Sequence, residues 1–555
     1  MSNVMLDDFI FRTEDIKEEE LLDLYVESKM DRENINFIKT KAPLLLVGSR
    51  GTGKTMLLRV AEKELDDSFE QERVLCVLVS FKKAIFLEAV EDPQYFRQWM
   101  IAKILFTLKR KIEKKGLMLS EPGIFARYFD IGAGQDETLT DRLGGFIKVL
   151  EQSSRKRDFD VKNEIRKIMN YDTEDIEILN EVDYLHALVE DLCQVLNIDR
   201  LIFLFDEACH NFIPSQQRQF FTLFRDLRSS LISCKAAVYP GITSYGTFQQ
   251  FHDASVRKVE RDLQEPGFVP LMREIVRNQV SDEIYKKLEQ QGELFDCLIY
   301  AATGNPRLLL KSIYLSTSKS FNSNNVNNTL KEFYRTNIWN EHTKLGEIYR
   351  GHKSLVDWGR DFIEKVVLVD TNEKNESRIN EGRTQQTIYF AIHRDAPEAV
   401  KHAIRILEYS GIVSIETEGT RVRGKVFDRY QINIGIILST VKTPTLLARN
   451  LIQGLSVKLY TDYGMNSPHY QGITHFSEDQ VNFNDVIEHV LRISVEGLDI
   501  TEFQCQRIKE AGFKTLGDIL EGSEDNLQKA VNIGPKRARR IWNVAYNATM
   551  EYFSG

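Results

Sequence analysis

The sequence is short of several features that would each have decided its class. It has six cysteines in 555 residues (Cys76, Cys193, Cys209, Cys234, Cys297 and Cys505), scattered without a CxxC pair. Several fall inside apolar runs such as "VLCVLVSF". That pattern speaks against a zinc site or a disulfide frame and reads as buried, reduced thiols of a cytosolic protein. No apolar stretch approaches the roughly 18–20 residues of a helical membrane span. The opening residues, "MSNVMLDDFIFRTEDIKEEE", are acidic, so a secretory leader is not expected. Positive charge is in deficit too, with a formal net charge of −9. That total does not exclude nucleic acid, because binding depends on local patches. No nuclease or protease constellation is visible. The remainder, 42 % hydrophobic and 28 % charged, is that of a soluble globular chain, long enough for about three to four domains.

What is present begins at "APLLLVGSRGTGKTMLLRV", residues 42–60. Leu44 to Val47 reads as a buried strand, and Met56, Leu57 and Val60 open a helical pattern. Between them lie Gly48, Ser49, Arg50, Gly51, Thr52, Gly53, Lys54 and Thr55, the phosphate-binding P-loop GxxxxGK(S/T) in its strand–loop–helix setting. Glycines let successive backbone N–H groups turn inward around a phosphate. The helix start adds partial positive charge. Lys54 is expected at the β/γ-phosphates of ATP, and the Thr55 hydroxyl on Mg²⁺.

Downstream, "LIFLFDEACHNF" is an apolar strand, Leu201 to Phe205, ending in Asp206 and Glu207. This fits a Walker B element, with Asp206 holding Mg²⁺ and Glu207 orienting and deprotonating the attacking water. His210 reads as a bystander. A further core strand is expected over Ala236 to Tyr239 in "CKAAVYPGITSYG". Of the polar residues after it, Thr243 is the candidate for the γ-phosphate and Ser244 the reserve; a plain turn is the alternative.

With "AATGNPRLLLKSI" at 301–313, these pieces stand in an order that resembles the AAA+ ATPases of the origin-recognition/replication-initiator branch, and more loosely the STAND signalling ATPases. The resemblance covers about 10–335. It implies an α/β P-loop NTPase with a parallel sheet, an ATPase core over 1–255 with a helical insertion at about 115–182, and a helical lid over 256–335. It implies that Arg307, in Gly304-Asn305-Pro306-Arg307, touches the γ-phosphate, and that the acidic helix within about 14–40 packs near the adenine. It also implies that an arginine after Walker B, Arg225 or Arg228, reaches the ATP of a neighbouring copy; a solvated basic face is the other reading. The cofactors implied are ATP and Mg²⁺, and the activity ATP hydrolysis to ADP and phosphate. No helicase-type arginine motif follows the lid.

The C-terminal half suggests DNA. Residues 345–440 contain a helix stopped by Gly411 and then two alternating strands with a polar tip around Gly419, which resembles a winged-helix domain. Arg421, Arg423 and Lys425 on the wing are candidate phosphate contacts, with Lys401 and Arg405 on the helix. Residues 441–489 are expected to be a linker. Residues 490–555 resemble a tandem helix-hairpin-helix domain, an all-α unit. In "VNIGPKRARRI", Ile533 would anchor the hairpin and Gly534 take its tight position, while Lys536, Arg537, Arg539 and Arg540 face phosphates. Asn532 stands where that family has Gly, and Asn tolerates positive φ. Both modules also dock proteins in other chains. The resulting expectation is a cytoplasmic, DNA-associated ATPase that does not touch membranes and grips DNA without reading its sequence. It forms homo-oligomers or serves a separate effector, in anti-phage defence or DNA maintenance. The alternative is a STAND-type sensor or scaffold acting through protein partners.

Overall fold

The computed structural model describes residues 13–87, 93–117, 124–125, 136–153, 161–169, 181–208, 214–241, 243–317, 320–348, 352–422, 424–473, 491–498, 500–522, 524–535, 537–542 and 544–545. Short apolar runs buried on both faces are what a parallel sheet requires. Five strands supply it: β1 (Leu44–Val47), β2 (Val74–Ser80), β3 (Arg200–Asp206), β4 (Ile232–Val238) and β5 (Ser255–Lys258). All pair in parallel, in the order β2-β3-β4-β1-β5. Alternate residues serve opposite layers. Leu45, Val77, Phe203, Phe205 and Ala236 enter one core, with Trp99, Leu188 and Phe220 from helices Pro93–Lys114, Val182–Val195 and Pro214–Asp226. Leu44, Leu46, Cys76, Ile202 and Leu204 enter the other, with Ile35 and Leu58 from helices Lys29–Ile38 and Lys54–Asp67.

The insertion expected at about 115–182 is described only in part, but its helices Asp136–Ser153 and Val161–Met169 belong to the first of these cores through Phe146, Leu150 and Ile165. Buried Glu151 ties it down, accepting from Trp99 Nε1 at 3.4 Å and pairing with Lys83 at 2.9 Å. These two helices therefore pack as an added layer against the sheet's first core.

Helices Phe268–Gln279, Asp282–Gln290, Gly292–Ala301 and Pro306–Thr317 form the lid. Their apolar faces, including Leu298 and Leu309, share one core with Phe390, Ile404 and Ile437 of the next unit. The Ile434 N–H also donates to Thr303 Oγ1 at 2.8 Å, so lid and second sheet are joined by polar and apolar contacts. That sheet comprises β6 (Tyr389–His393), β7 (Val413–Val422), β8 (Lys425–Ile432) and β9 (Thr461–Tyr463), in the order β7-β8-β6-β9. The helix Glu398–Tyr409, here the wing helix, lies between β6 and β7.

Four expectations need correction. The core ends later than residue 255, because β5 runs over Ser255–Lys258; as an edge strand it has no apolar run to announce it. The strand expected at 236–239 starts earlier, at Ile232. The polar tip does not lie at Gly419: β7 runs on to Val422 and β8 begins at Lys425, while Gly419, with φ +66°, sits at a register irregularity inside β7. Glycine marks bulges as well as turns. Finally, 441–489 is not a bare linker: helix Pro444–Gly454 and β9 lie in it, and Ala448, Leu451, Tyr463 and Tyr470 join the core. A three-residue strand is too short to leave a periodic pattern.

Towards the C-terminus, helices Glu502–Glu510 and Leu516–Glu521 start with capping boxes, Thr501 with Gln504 and Thr515 with Asp518. Ile508, Ile519, Ile533, Ala538 and Ile541 form their core. Among the described residues no helix is long and apolar enough to cross a membrane.

Candidate nucleotide site

The carboxyl ends of β1, β3 and β4 meet at one edge of the sheet, and the P-loop leaves β1 there. Gly51 and Gly53 take φ of +85° and +104°, conformations that L side chains rarely adopt, and Gly53 caps the helix that begins at Lys54. Lys54 is 6 % exposed, and its Nζ donates to the carbonyls of Gly48 at 2.6 Å and Ser49 at 3.0 Å. The lysine is thus folded back over its own loop. Burial pushes its pKa down to about 7, opposed by nearby Asp206. The Thr52 hydroxyl closes the loop onto Ser49 O at 3.0 Å.

The Thr55 hydroxyl donates to Asp206 Oδ2 at 2.9 Å, joining residues 151 positions apart. Two hard oxygen donors side by side are the ligands Mg²⁺ takes in such sites. Glu207, the next residue, has φ +57° and a buried Oε2 without a hydrogen-bond partner. An orphaned carboxylate oxygen on a strained backbone is the arrangement found where a group is held for chemistry.

The lid closes over the P-loop through the segment singled out in the sequence. Asn305 Nδ2 donates to Arg50 O at 2.7 Å, while its Oδ1 accepts from the N–H groups of Arg307 and Leu308 at 3.1 and 3.3 Å. A Cβ on Gly51 would stand 2.7 Å from Asn305 Oδ1 and 2.8 Å from Arg307 Cβ, so only glycine fits there. Arg307 is near enough for its charge to act on Lys54.

Two groups were not anticipated. Arg261, in the segment after β5, donates to Thr52 O at 2.9 Å and pairs with Asp31 at 3.6 Å; both side chains are more than nine-tenths buried. Tyr239 directly follows β4 and lays its ring 4.2 Å from the Lys54 ammonium. The Thr243 hydroxyl instead donates to Tyr239 O at 2.7 Å, and the Ser244 N–H donates to Gln217 Oε1 at 2.6 Å. No sequence signal marks Asp31 and Arg261 as a pair, since 230 residues separate them.

Arg225, in the last turn of helix Pro214–Asp226, and Arg228, just past it, are held elsewhere. Arg225 donates to Thr247 Oγ1 at 3.4 Å and Arg228 to Asp253 O at 2.6 Å, both on the connection from β4 to β5. Arg421, near the end of β7, and Lys425, at the start of β8, are exposed. Arg537, Arg539 and Arg540 are exposed around the C-terminal hairpin, where Asn532 takes φ +67° and its carbonyl accepts from Arg537 Nη1 at 2.8 Å. Ile533 is buried and Gly534 exposed. Lys536, Arg423 and His210 lie outside the described residues.

The strand order, the P-loop and the acidic end of β3 define a P-loop NTPase fold of the AAA+ kind, with a helical lid. A family model described as ORC-CDC6-like matches residues 9–65, which contain helix Lys29–Ile38, β1, the P-loop and most of the helix after it. In this match the likeness to that family is confined to that segment. Among solved structures it is similar to the Aeropyrum pernix ORC1 protein in complex with DNA, at 14 % identity over 78 % of this chain and 95 % of that one, with a TM-score of 0.26. It is also similar to the Aeropyrum pernix ORC2 protein in ADPNP–ADP complexes, at 10 % identity over 79 % and 98 %, with a TM-score of 0.30. No curated protein matches.

Proposed function

We propose that the protein is a DNA-associated ATPase in which ATP hydrolysis between sheet and lid drives a conformational switch. The observation that carries this reading is the Thr55–Asp206 hydrogen bond, set between a prearranged lysine and an orphaned glutamate. Backbone N–H groups from Ser49 to Met56 cradle the phosphates, and Lys54 holds the β/γ-oxygens. Glu207 takes the proton of the attacking water. Arg307 brings positive charge from the lid. Thr55 and Asp206 would hold Mg²⁺, which when bound neutralises phosphate charge. Arg225 or Arg228 serves a neighbouring copy in an assembly. Arg537, Arg539 and Arg540 contact DNA phosphates, so binding is salt-dependent and indifferent to sequence. An anti-phage or DNA-maintenance role, with a separate effector, is the setting such a switch fits.

A second reading is a STAND-type switch working through protein partners, and it draws support from Tyr409 of the wing helix packing on Tyr239, the residue beside Lys54. ATP turnover with and without duplex and single-stranded DNA separates the two. On the first reading DNA raises turnover, and combined Arg537→Ala, Arg539→Ala and Arg540→Ala removes the stimulation. If neither DNA nor the substitutions alter turnover or binding, the DNA role fails and the second reading stands.

A further inference from the structure

The ammonium of Lys54 is bonded, among the described residues, to neutral groups: two P-loop carbonyls and the face of Tyr239. The carbonyls fix its direction along the loop, and the ring supplies a wall beneath it. An aromatic face carries negative electrostatic potential and attracts a desolvated cation; an aliphatic side chain of similar volume does not. Tyr239 is held at both ends of its peptide unit. The carbonyl of the preceding Val238 accepts from the Gly48 N–H at 3.4 Å, and its own carbonyl accepts from Thr243 Oγ1.

The ring itself is braced from a different domain. Tyr409, the last residue of the wing helix, meets it edge-to-face, with centroids 5.6 Å apart and planes at 70°. Both rings are buried, at 6 % and 3 % exposure. Close by, Gly241, with φ +79°, lets the same helix approach. A Cβ there would lie 2.5 Å from Arg405 O. The chain after β4 and this helix thus approach backbone to backbone at Gly241, in the same contact that brings the two tyrosines together.

We propose that Tyr239 is a positioning residue for the P-loop lysine and that Tyr409 holds Tyr239 in place, so that the second domain of the same chain completes the ATP site. This rests on reading Gly48–Thr55 as that site. Undocking the wing helix would leave the P-loop and Tyr239 in the chain's first sheet but take away the ring's brace, which ties the lysine's wall to the posture of the C-terminal half.

The test uses the full chain with Tyr239→Phe, Tyr239→Leu, Tyr409→Phe and Tyr409→Leu, reading kcat, KM and, by calorimetry, ATP affinity. Tyr239→Leu is expected to lower kcat/KM about 30-fold, the equivalent of the ~2 kcal/mol of a desolvated cation–π contact. Tyr239→Phe should stay within about threefold of wild type, since the face is kept. Tyr409→Leu should lose at least about fivefold and Tyr409→Phe little, the edge-to-face contact contributing about 1 kcal/mol. A merely structural role would lower the folded yield of the leucine variants and leave kcat per folded molecule unchanged, and that result overturns the proposal. If Tyr239→Leu does not fold, the Tyr409 pair decides: wild-type kcat/KM in Tyr409→Leu refutes it. If the wild type shows no turnover, the ATPase reading fails, and ATP affinity then decides the tyrosines. The same order of variants supports the proposal, and equal affinities overturn it.

Discussion

Asn305 offers a substitution whose two effects can be separated. Its amide nitrogen latches the lid to the P-loop through Arg50 O, and its oxygen caps the lid helix at Arg307 and Leu308. The side chain is 7 % exposed, so neither contact is readily replaced by water. Losing an N-cap oxygen costs about 1 kcal/mol. Losing the single hydrogen bond to Arg50 costs about another 1 kcal/mol. Asn305→Ala removes both; Asn305→Asp keeps the cap, because carboxylates cap as well as amides, and removes only the latch. If ATP binding draws on lid docking, the latch alone is about fivefold in affinity. Asn305→Ala should therefore show weaker ATP binding and a lower Tm by scanning fluorimetry. Asn305→Asp should bind ATP at least as weakly, with a Tm close to wild type. Wild-type ATP affinity in Asn305→Asp would refute the claim that this latch couples lid and P-loop.

Two further outcomes follow. Buried Glu408 on the wing helix has its pKa pushed up to about 7, by burial first and then by neighbouring Glu260. The unfolded chain ionises it near its ordinary value, so its contribution is fully present below pH 4.5 and is lost as pH rises through 7. That amounts to up to about 3 kcal/mol. Glu408→Gln should therefore flatten the fall in Tm between pH 5 and pH 8, and an unchanged slope counts against it. For DNA, replacing Arg539 or Arg540 with Ala should weaken binding on all sequences alike and reduce the slope of log K against log salt by about 1 each; an unchanged slope removes them from the interface.

The parts of the site encoded by adjacent residues were legible in the sequence. Glycines at fixed spacing, a lysine and threonine at a helix start, and acids at the end of an apolar strand each specify local backbone and chemistry together, and the fold puts Thr55 against Asp206. The segment Gly304–Arg307 was readable only through its resemblance to the AAA+ lid, with which a proline at a helix start agrees. What stayed hidden arises only from tertiary contact. Asp31 is the third residue of a helix and accepts from Ser28 in its capping box. Nothing local says that Arg261 will cross to it. Tyr239 and Tyr409 each look like core aromatics, and their meeting under Lys54 depends on the docking of a second sheet. Likewise β5, half exposed at the sheet edge, and β9, three residues long, carry too little pattern to be seen.

The central claim, that Lys54, Thr55, Asp206 and Glu207 form an ATP-hydrolysing site, is tested most directly by Mg²⁺-dependent ATP turnover in the wild type and in Glu207→Gln, with ATP affinity measured on both. The account predicts wild-type turnover, and in the variant near-normal ATP affinity with turnover reduced by about 100-fold or more, as expected on removing a general base. Equal turnover in the two proteins, or a wild type that does not bind ATP, would contradict it.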